Sequence, residues 1–205
     1  MDATRTQSPI SRSDRTALWI TITVGAIAAV YTLVSMVLRI AEIIPNRNVP
    51  VPAAFADTPA TLPIGPDGAA VPVVVEQAII RVSDMPAITL ASLLLAAGIS
   101  AVATIAAIVC VCLFCRNLIR GRAFDKTNVR LIGTATLVIA VGWAVGSLFR
   151  TMGANGASAM LSHGAAANTA FPVNYAAIAA IASLAAIGVA FQQGHRLQRD
   201  TEGLV

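Results

Sequence analysis

The stretch RNLIRGRAFDKTNVR, residues 116–130, separates two long uncharged runs and decides the fold of this 205-residue chain. It holds five of the fourteen Lys and Arg residues but only one of the ten acids. Charge is otherwise scarce, since 57% of the residues are hydrophobic and 12% are charged, about half the usual share. A short basic segment between apolar runs is typical of a cytoplasmic loop in an integral membrane protein.

Four runs outside this stretch are long enough to cross a bilayer, which needs roughly 20 helical residues for a core of about 30 Å. The first run is longer than the apolar region of a signal peptide, so we expect an uncleaved anchor. The sequence therefore predicts an all-α integral membrane protein with four transmembrane helices, at residues 17–44, 86–115, 131–149 and 174–191.

The positions of the cations predict how these helices are oriented. Ten of the fourteen lie in the N-terminal tail (1–16), the basic loop (116–130) and the C-terminal tail (192–205). The other four, Arg39, Arg47, Arg81 and Arg150, lie at or beyond the opposite helix ends. Because Lys and Arg are retained on the cytoplasmic side, we expect both termini in the cytoplasm, with a multi-pass arrangement in the membrane. The loops 45–85 and 150–173 are then extracytoplasmic.

The first of these outer loops is the one place where a β element is expected. Residues 45–84 contain seven prolines and have a net charge of −2. Within them, VPVVVEQAIIRVS (residues 71–83) is rich in β-branched residues and can pair with the preceding NVPVPA as a hairpin. Pro72 favours an edge strand.

No residue pattern indicates a catalytic centre, a cofactor or a metal. Cys110, Cys112 and Cys115 form one cluster, whereas a closed zinc site needs four ligands, usually from two separate pairs. We interpret them as small apolar residues of a helix end. The two histidines, His163 and His195, lie on opposite predicted sides and cannot ligate one haem. The cations form no face of a soluble helix, so direct binding of nucleic acid is not expected.

Three charges near the predicted outer side leave two interpretations open. Arg39 and Glu42 are three residues apart on the first helix, and Arg150 follows the third. They can form an outer vestibule for an anionic ligand, as in a subunit of an oligomeric transporter or channel. Alternatively, they extend to the lipid interface without a further role.

Small residues predict where helices approach each other. Gly142 and Gly146 form a GxxxG pattern, and a second small stripe comprises Ala179, Ser183, Ala186 and Ala190. We expect both to pack against other helices of the same chain, with a homo-oligomer as the alternative. Because the fourth run is rich in alanine, we also expect it to lie among the other helices.

Two patches resemble a known family. The first is GRAFDKTNVRLIG, residues 121–133, and the second is FQQGHRLQRDTEGLV, residues 191–205. Together with the four spans and the extended first outer loop, they resemble the uncharacterised bacterial membrane family called domain of unknown function 2975. This resemblance implies a location in a bacterial plasma membrane and no established activity. Members of that family are often said to be encoded beside small helix-turn-helix regulators, which implies a cytoplasmic protein partner of that kind.

The motif residues predict a cytoplasmic interaction surface. Gly121 can end the second helix, and Asp125 or Thr127 can cap the third. Asp200 and Glu202 are candidates to pair with the loop cations, although exposed pairs contribute only about 0–1 kcal/mol and a merely solvated loop is the alternative. We therefore expect a non-catalytic regulatory or scaffolding protein. Its candidate residues are Arg120, Gly121, Arg122, Phe124, Asn128, Arg130, Asp200 and Glu202.

Overall fold

The computed structural model describes residues 11–122, 125–161 and 174–202, except for the side chains of residues 56–58, 195 and 198–202. Four long helices and a hairpin make up this part of the chain, which confirms the predicted fold class at that level. The elements are α1 (Arg12–Ile43), β1 (Val49–Leu62), β2 (Val71–Val82), α2 (Ala87–Ile119), α3 (Lys126–Leu161) and α4 (Tyr175–Glu202), with a short 3₁₀ turn at Pro66–Gly68. All four helices are long and apolar enough to cross a membrane.

Most helix ends lie beyond the uncharged runs from which they were predicted. α2 continues to Ile119 instead of residue 115, α3 begins at Lys126 instead of residue 131, and α4 continues to Glu202 instead of residue 191. α1 begins at Arg12 rather than residue 17. Hydropathy marks the apolar part of a helix, whereas capping residues and turns decide where the backbone leaves the helix.

The largest difference is at the end of α3. A loop was expected from Arg150 onwards, but residues 150–161 are helical, so this prediction is wrong for that segment. The physical reason is close packing by small residues. A Cβ atom on Gly153 would lie 2.5 Å from Cδ2 of Leu93, and one on Gly156 would overlap Thr89. The glycines therefore let α3 approach α2 more closely than any larger residue would. The rest of that predicted loop, 162–173, lies outside the described residues.

The described chain divides into two compact units. The hairpin unit comprises residues 36–99, 144–161 and 174. The turn unit comprises residues 11–35, 100–143 without 123–124, and 175–202.

In the hairpin unit, β1 pairs with β2 in antiparallel register from Val49 opposite Val82 to Leu62 opposite Val71. The pairing confirms the hairpin predicted from NVPVPA and the β-branched segment. With two strands, each strand has an open edge that tolerates proline, as predicted for Pro72. The apolar core of the hairpin unit contains Ile43, Val49, Val51, Val82, Met85, Leu93, Ala154 and Ala157.

Asn46 fixes the base of the hairpin. Its side-chain amide donates to the carbonyl of Met85 at 3.0 Å, and its side-chain oxygen accepts from the Met85 N–H at 3.0 Å. The N–H of Asp84 donates to the carbonyl of Asn46, also at 3.0 Å. Asn46 has a φ of +52°, which asparagine tolerates better than most residues. One side chain thus substitutes for a pair of strand hydrogen bonds where the chain enters and leaves the hairpin.

In the turn unit, close approaches join the helices. Gly25 of α1 lies against Cys112 and Ile108 of α2, and Gly142 of α3 lies directly on Ala103 of α2. The ring of Phe114 on α2 meets that of Phe191 on α4 edge to face, with centroids 5.4 Å apart. The predicted packing role of Gly142 is therefore confirmed.

The predictions for α4 are wrong in two respects. The small stripe of Ala179, Ser183, Ala186 and Ala190 is exposed, and no residue in the most apolar part of the helix is fully buried. α4 instead packs through a face that includes Leu184, Gly188 and Phe191. Larger side chains on this face make more dispersion contacts than alanine can, so they decide which side of the helix packs.

Candidate functional site

The basic turn, residues 116–130, begins where α2 ends in a Schellman motif. The N–H of Arg122 donates to the carbonyl of Asn117 at 3.0 Å, and the N–H of Gly121 donates to that of Leu118 at 2.9 Å. These are the two bonds that define the motif, which requires a left-handed residue between the helix and the following chain. Gly121 has a φ of +74° and fills that position. The prediction that Gly121 ends the second helix is confirmed.

Asn128 closes the turn from the other side. It lies in the first turn of α3 and is fully buried, with 0% of its surface exposed. Its side-chain oxygen accepts from the amide of Asn117 at 2.8 Å, and its own amide donates to the carbonyl of Arg122 at 2.5 Å. Because a buried amide without partners is unfavourable, these bonds hold the end of α2 and the start of α3 in one arrangement.

The cations of the turn project from this fixed frame. Arg116, Arg120, Arg122, Lys126 and Arg130 are all exposed. None of them forms an ion pair with a carboxylate whose side chain is described. Lys126 also lies at the start of α3, where the helix dipole already concentrates positive charge. The described part of the turn therefore presents exposed positive charges on a hydrogen-bonded backbone.

Most of the predicted interaction residues come together here. Arg120, Gly121, Arg122, Asn128 and Arg130 all lie in the turn. The remaining three are not tested by contacts. Phe124 lies outside the described residues, and Asp200 and Glu202 lie on the last turn of α4 with side chains that are not described.

Asn117, whose side-chain amide donates to Asn128, is a residue of the turn that sequence reasoning missed. Asn117 gave no signal of its own, because an asparagine near a helix end is common and its contact with Asn128 spans eleven residues.

A groove lined only by apolar side chains lies between α2, α3 and α4 in the turn unit. Its volume is about 270 Å³, and it is partly open to the outside. Leu118 is its last residue on α2 and Leu131 its first on α3, so the basic turn connects the two helix ends that border it. The other lining residues are Cys110, Val111, Phe114, Ile132, Ala135, Leu184, Ile187 and Phe191. No sequence pattern pointed to this groove.

The cysteines pack as small apolar residues. Cys110 and Cys115 are buried, and the thiol of Cys112 lies 3.9 Å from the carbonyl oxygen of Ile22. Within residues 11–122, 125–161 and 174–202, no group of three or more His, Cys, Asp or Glu side chains is placed to hold a metal ion.

The predicted outer vestibule is only partly assembled. Arg39 forms an ion pair with Glu42, and its second terminal nitrogen donates to the carbonyl of Pro50 at 2.7 Å. Arg39 thus joins α1 to β1. Arg150 is exposed and forms no bond to either of these charges. Two of the three vestibule residues therefore stabilise the hairpin unit.

A search of known protein families, curated proteins and solved structures finds no match to this chain.

Proposed function

We propose that this chain is a four-span protein of a bacterial plasma membrane that acts without catalysis, as a regulator or scaffold whose basic turn binds a soluble protein in the cytoplasm. The proposal rests mainly on one observation. The turn combines five exposed cations with a frame fixed by Gly121 and the buried Asn128. A loop that only set the topology would need the charges but not the frame.

The surfaces of the helices support insertion in a membrane. Large apolar side chains of α1 are mostly exposed, among them Trp19 at 53%, Ile27 at 64% and Leu38 at 65%. Leaving such a side chain in water rather than burying it costs about 1.5–3 kcal/mol. A helix with many of them is unfavourable in water and favourable in hydrocarbon. The length and composition of all four helices suit the same surroundings.

The charge distribution supports the orientation. Ten of the fourteen cations belong to the two tails and the basic turn, and four lie towards the opposite helix ends. Under the positive-inside rule this distribution favours a cytoplasmic location for the basic turn.

The chemistry of the turn favours an acidic partner surface. Exposed guanidinium groups can form bidentate hydrogen bonds with carboxylates, and the binding cost is lower where the backbone that carries them is already held by hydrogen bonds. Membership of domain of unknown function 2975 stays a prediction, and a small helix-turn-helix regulator as the partner rests on that resemblance. The hydrogen bonds of Arg39 weigh against the alternative of a transporter or channel vestibule.

The test compares two double variants of equal charge. Arg120→Gln with Arg122→Gln alters the turn, and Arg47→Gln with Arg81→Gln alters exposed cations of the hairpin unit. Each tagged protein is crosslinked in cells, solubilised gently and purified, and its bound proteins are quantified by mass spectrometry. We expect a defined soluble protein that is lost several-fold from the first variant and kept by the second. Equal recovery from both, or no protein above an untagged control, would contradict the proposal.

A further inference from the structure

We propose that the free edge of β2 in the hairpin unit binds an extended segment of another protein as a third strand, with an apolar residue opposite Ile79 and a carboxylate opposite Arg81. The free edge is the side of β2 that faces away from β1. This second interaction surface is separate from the basic turn and does not depend on the partner of that turn.

The pairing partners of β2 show which of its backbone groups face away from β1. In an antiparallel pair, opposite residues alternate between positions that exchange hydrogen bonds and positions whose N–H and C=O point outwards. Pro50 lies opposite Arg81, and its carbonyl accepts from the guanidinium of Arg39 at 2.7 Å, so the backbone of Pro50 faces away from β2. Pro52, which has no N–H to donate, lies opposite Ile79. The N–H and C=O groups of Arg81 and Ile79 therefore point away from β1.

The edge of β1 is closed to a further strand. Pro50 and Pro52 have no outward N–H, and Pro59 follows in the distal half of the strand. Arg39 already binds the outward carbonyl of Pro50. Prolines on an exposed edge prevent pairing with other chains. A strand that joins this sheet would therefore join it at β2.

The edge of β2 is open between Gln77 and Arg81. Gln77 continues the alternation of Ile79 and Arg81, so each of the three directs an N–H and a C=O outwards, at intervals of about 7 Å. All three residues are exposed. Within the described residues the sheet has two strands, so no neighbouring strand takes up these groups. An extended peptide offers donors and acceptors at the same interval, which is how peptides add to sheet edges.

The side chains beside this edge indicate the chemistry of the added strand. Ile79 is 68% exposed, and Arg81 lies two residues further on, on the same face of β2. In the described part of the chain, Arg81 forms no ion pair with a carboxylate. Cross-strand pairs of apolar side chains or of opposite charges stabilise a sheet, whereas like charges directly opposite destabilise it. The edge therefore favours a strand with an apolar residue opposite Ile79 and an acid opposite Arg81.

A second copy of the chain fits this edge less well. Two copies of β2 paired antiparallel about Ile79 would match the outward groups of both strands with one another. In that register, Gln77 of one copy lies opposite Arg81 of the other, so neither guanidinium meets a carboxylate. The charge at the edge thus favours a segment of a different protein.

The first experiment titrates the purified full chain, in mild detergent, into a fluorescein-labelled heptapeptide and follows fluorescence polarisation. The probe is Thr-Glu-Thr-Val-Thr-Thr-Thr, whose glutamate and valine are spaced to lie opposite Arg81 and Ile79 in antiparallel pairing. We expect it to bind at least about threefold more tightly than the same peptide with lysine in place of glutamate, because the pair changes from opposite to like charges. Equal binding of the two peptides would overturn the inference.

Methylated peptides test whether the backbone of the probe pairs with β2. N-methylation of the valine, whose N–H would face β2, should weaken binding at least about fivefold through loss of a hydrogen bond. N-methylation of the threonine before it should not, because that N–H would face away from β2. Equal effects of the two methylations would contradict strand addition. This comparison uses the unaltered chain, so it does not depend on the folding of any variant.

Two proline variants locate the site on the chain. Ile79→Pro removes an outward N–H at the centre of the open edge. Val74→Pro is its control, because Val74 lies opposite Pro59 in the same hairpin and is 64% exposed. Both changes affect outward-facing positions, so they leave the hydrogen bonds between β1 and β2 in place. We expect peptide binding to be lost in Ile79→Pro and kept in Val74→Pro, and equal binding by the two variants would overturn the inference.

A charge exchange tests the pairing with Arg81. In Arg81→Glu the lysine peptide should bind more tightly than the glutamate peptide. Arg47→Glu makes the same change at another exposed residue of the hairpin unit and should keep the original preference. Reversal in both variants would indicate an effect of overall charge and would contradict the pairing.

The remaining outcome concerns a second copy of the chain. If the protein alone formed a dimer that Ile79→Pro abolished, the edge would pair two copies and the inference would fall. None of these measurements involves the basic turn, so the inference and the proposed function can fail separately.

Discussion

Replacing Asn128 by alanine tests the frame of the basic turn. Among the hydrogen bonds to described residues, the change removes one from the side-chain amide of Asn117 and one to the carbonyl of Arg122. Each bond contributes about 0.5–1.5 kcal/mol net. Asn117 is only half-buried and Arg122 is exposed, so their freed groups can regain water. We therefore expect the free energy of unfolding to fall by about 1–3 kcal/mol in Asn128→Ala, since the two bonds add to that range.

The assay is equilibrium unfolding in mild detergent, followed by circular dichroism, with Thr127→Ala as the control. Thr127 precedes Asn128 on α3 but is exposed. Asn128→Asp gives a second reading. Its carboxylate can accept from Asn117 but cannot donate to Arg122, and it places a charge in a buried site, so it should destabilise at least as much as alanine. The reasoning would be refuted if Asn128→Ala and Thr127→Ala had the same stability within about 0.5 kcal/mol, the size of an ordinary surface effect.

Four further substitutions test other parts of the structure by the same unfolding assay. Gly121→Ala should cost about 1–2 kcal/mol, because alanine disfavours the left-handed φ of +74°; an unchanged midpoint would argue against the Schellman motif. Gly153→Ala should cost about 1–3 kcal/mol through overlap with Leu93. Gly133→Ala, which faces open space, should instead stabilise by up to about 1 kcal/mol; similar effects of the two would contradict the packing of α2 on α3. Asn46→Ala should cost about 1–3 kcal/mol through the lost bonds to Met85 and speed proteolysis of the hairpin; unchanged proteolysis would refute its role.

The elements with a strong chemical signal could be predicted from sequence. Uncharged runs of about 20 residues indicate long apolar helices because a bilayer core has a fixed thickness. The β-branched residues 71–83 predicted the hairpin, and Gly121 predicted the end of α2. In each case the signal lies in a short stretch and does not depend on distant parts of the chain.

The features that sequence reasoning missed depend on contacts between distant residues. Gly153 and Gly156 are weakly apolar and resemble loop residues, yet they make the end of α3 helical by fitting against Leu93 and Thr89. The small stripe of α4 looked like a packing face, but the pair of Phe114 and Phe191 favours another side of that helix.

The candidate site also has some parts that the sequence indicates and others that it does not. Its cations and Asn128 are visible in the sequence, the latter through the family resemblance. The structural role of Asn128 is not visible in the sequence, because it depends on a hydrogen bond from Asn117 at the end of another helix. The groove is the space left between three helices, which no residue pattern encodes.

The central claim is that the basic turn faces the cytoplasm, and Lys126 allows a direct measurement of it. It is the only lysine in the sequence and is exposed, so an amine-reactive reagent that cannot cross membranes can label no other side-chain amine. Peptide mass spectrometry then distinguishes Lys126 from the N-terminal amine. We predict that Lys126 is labelled in inside-out vesicles and protected in intact spheroplasts. Labelling of Lys126 in intact spheroplasts would contradict the account.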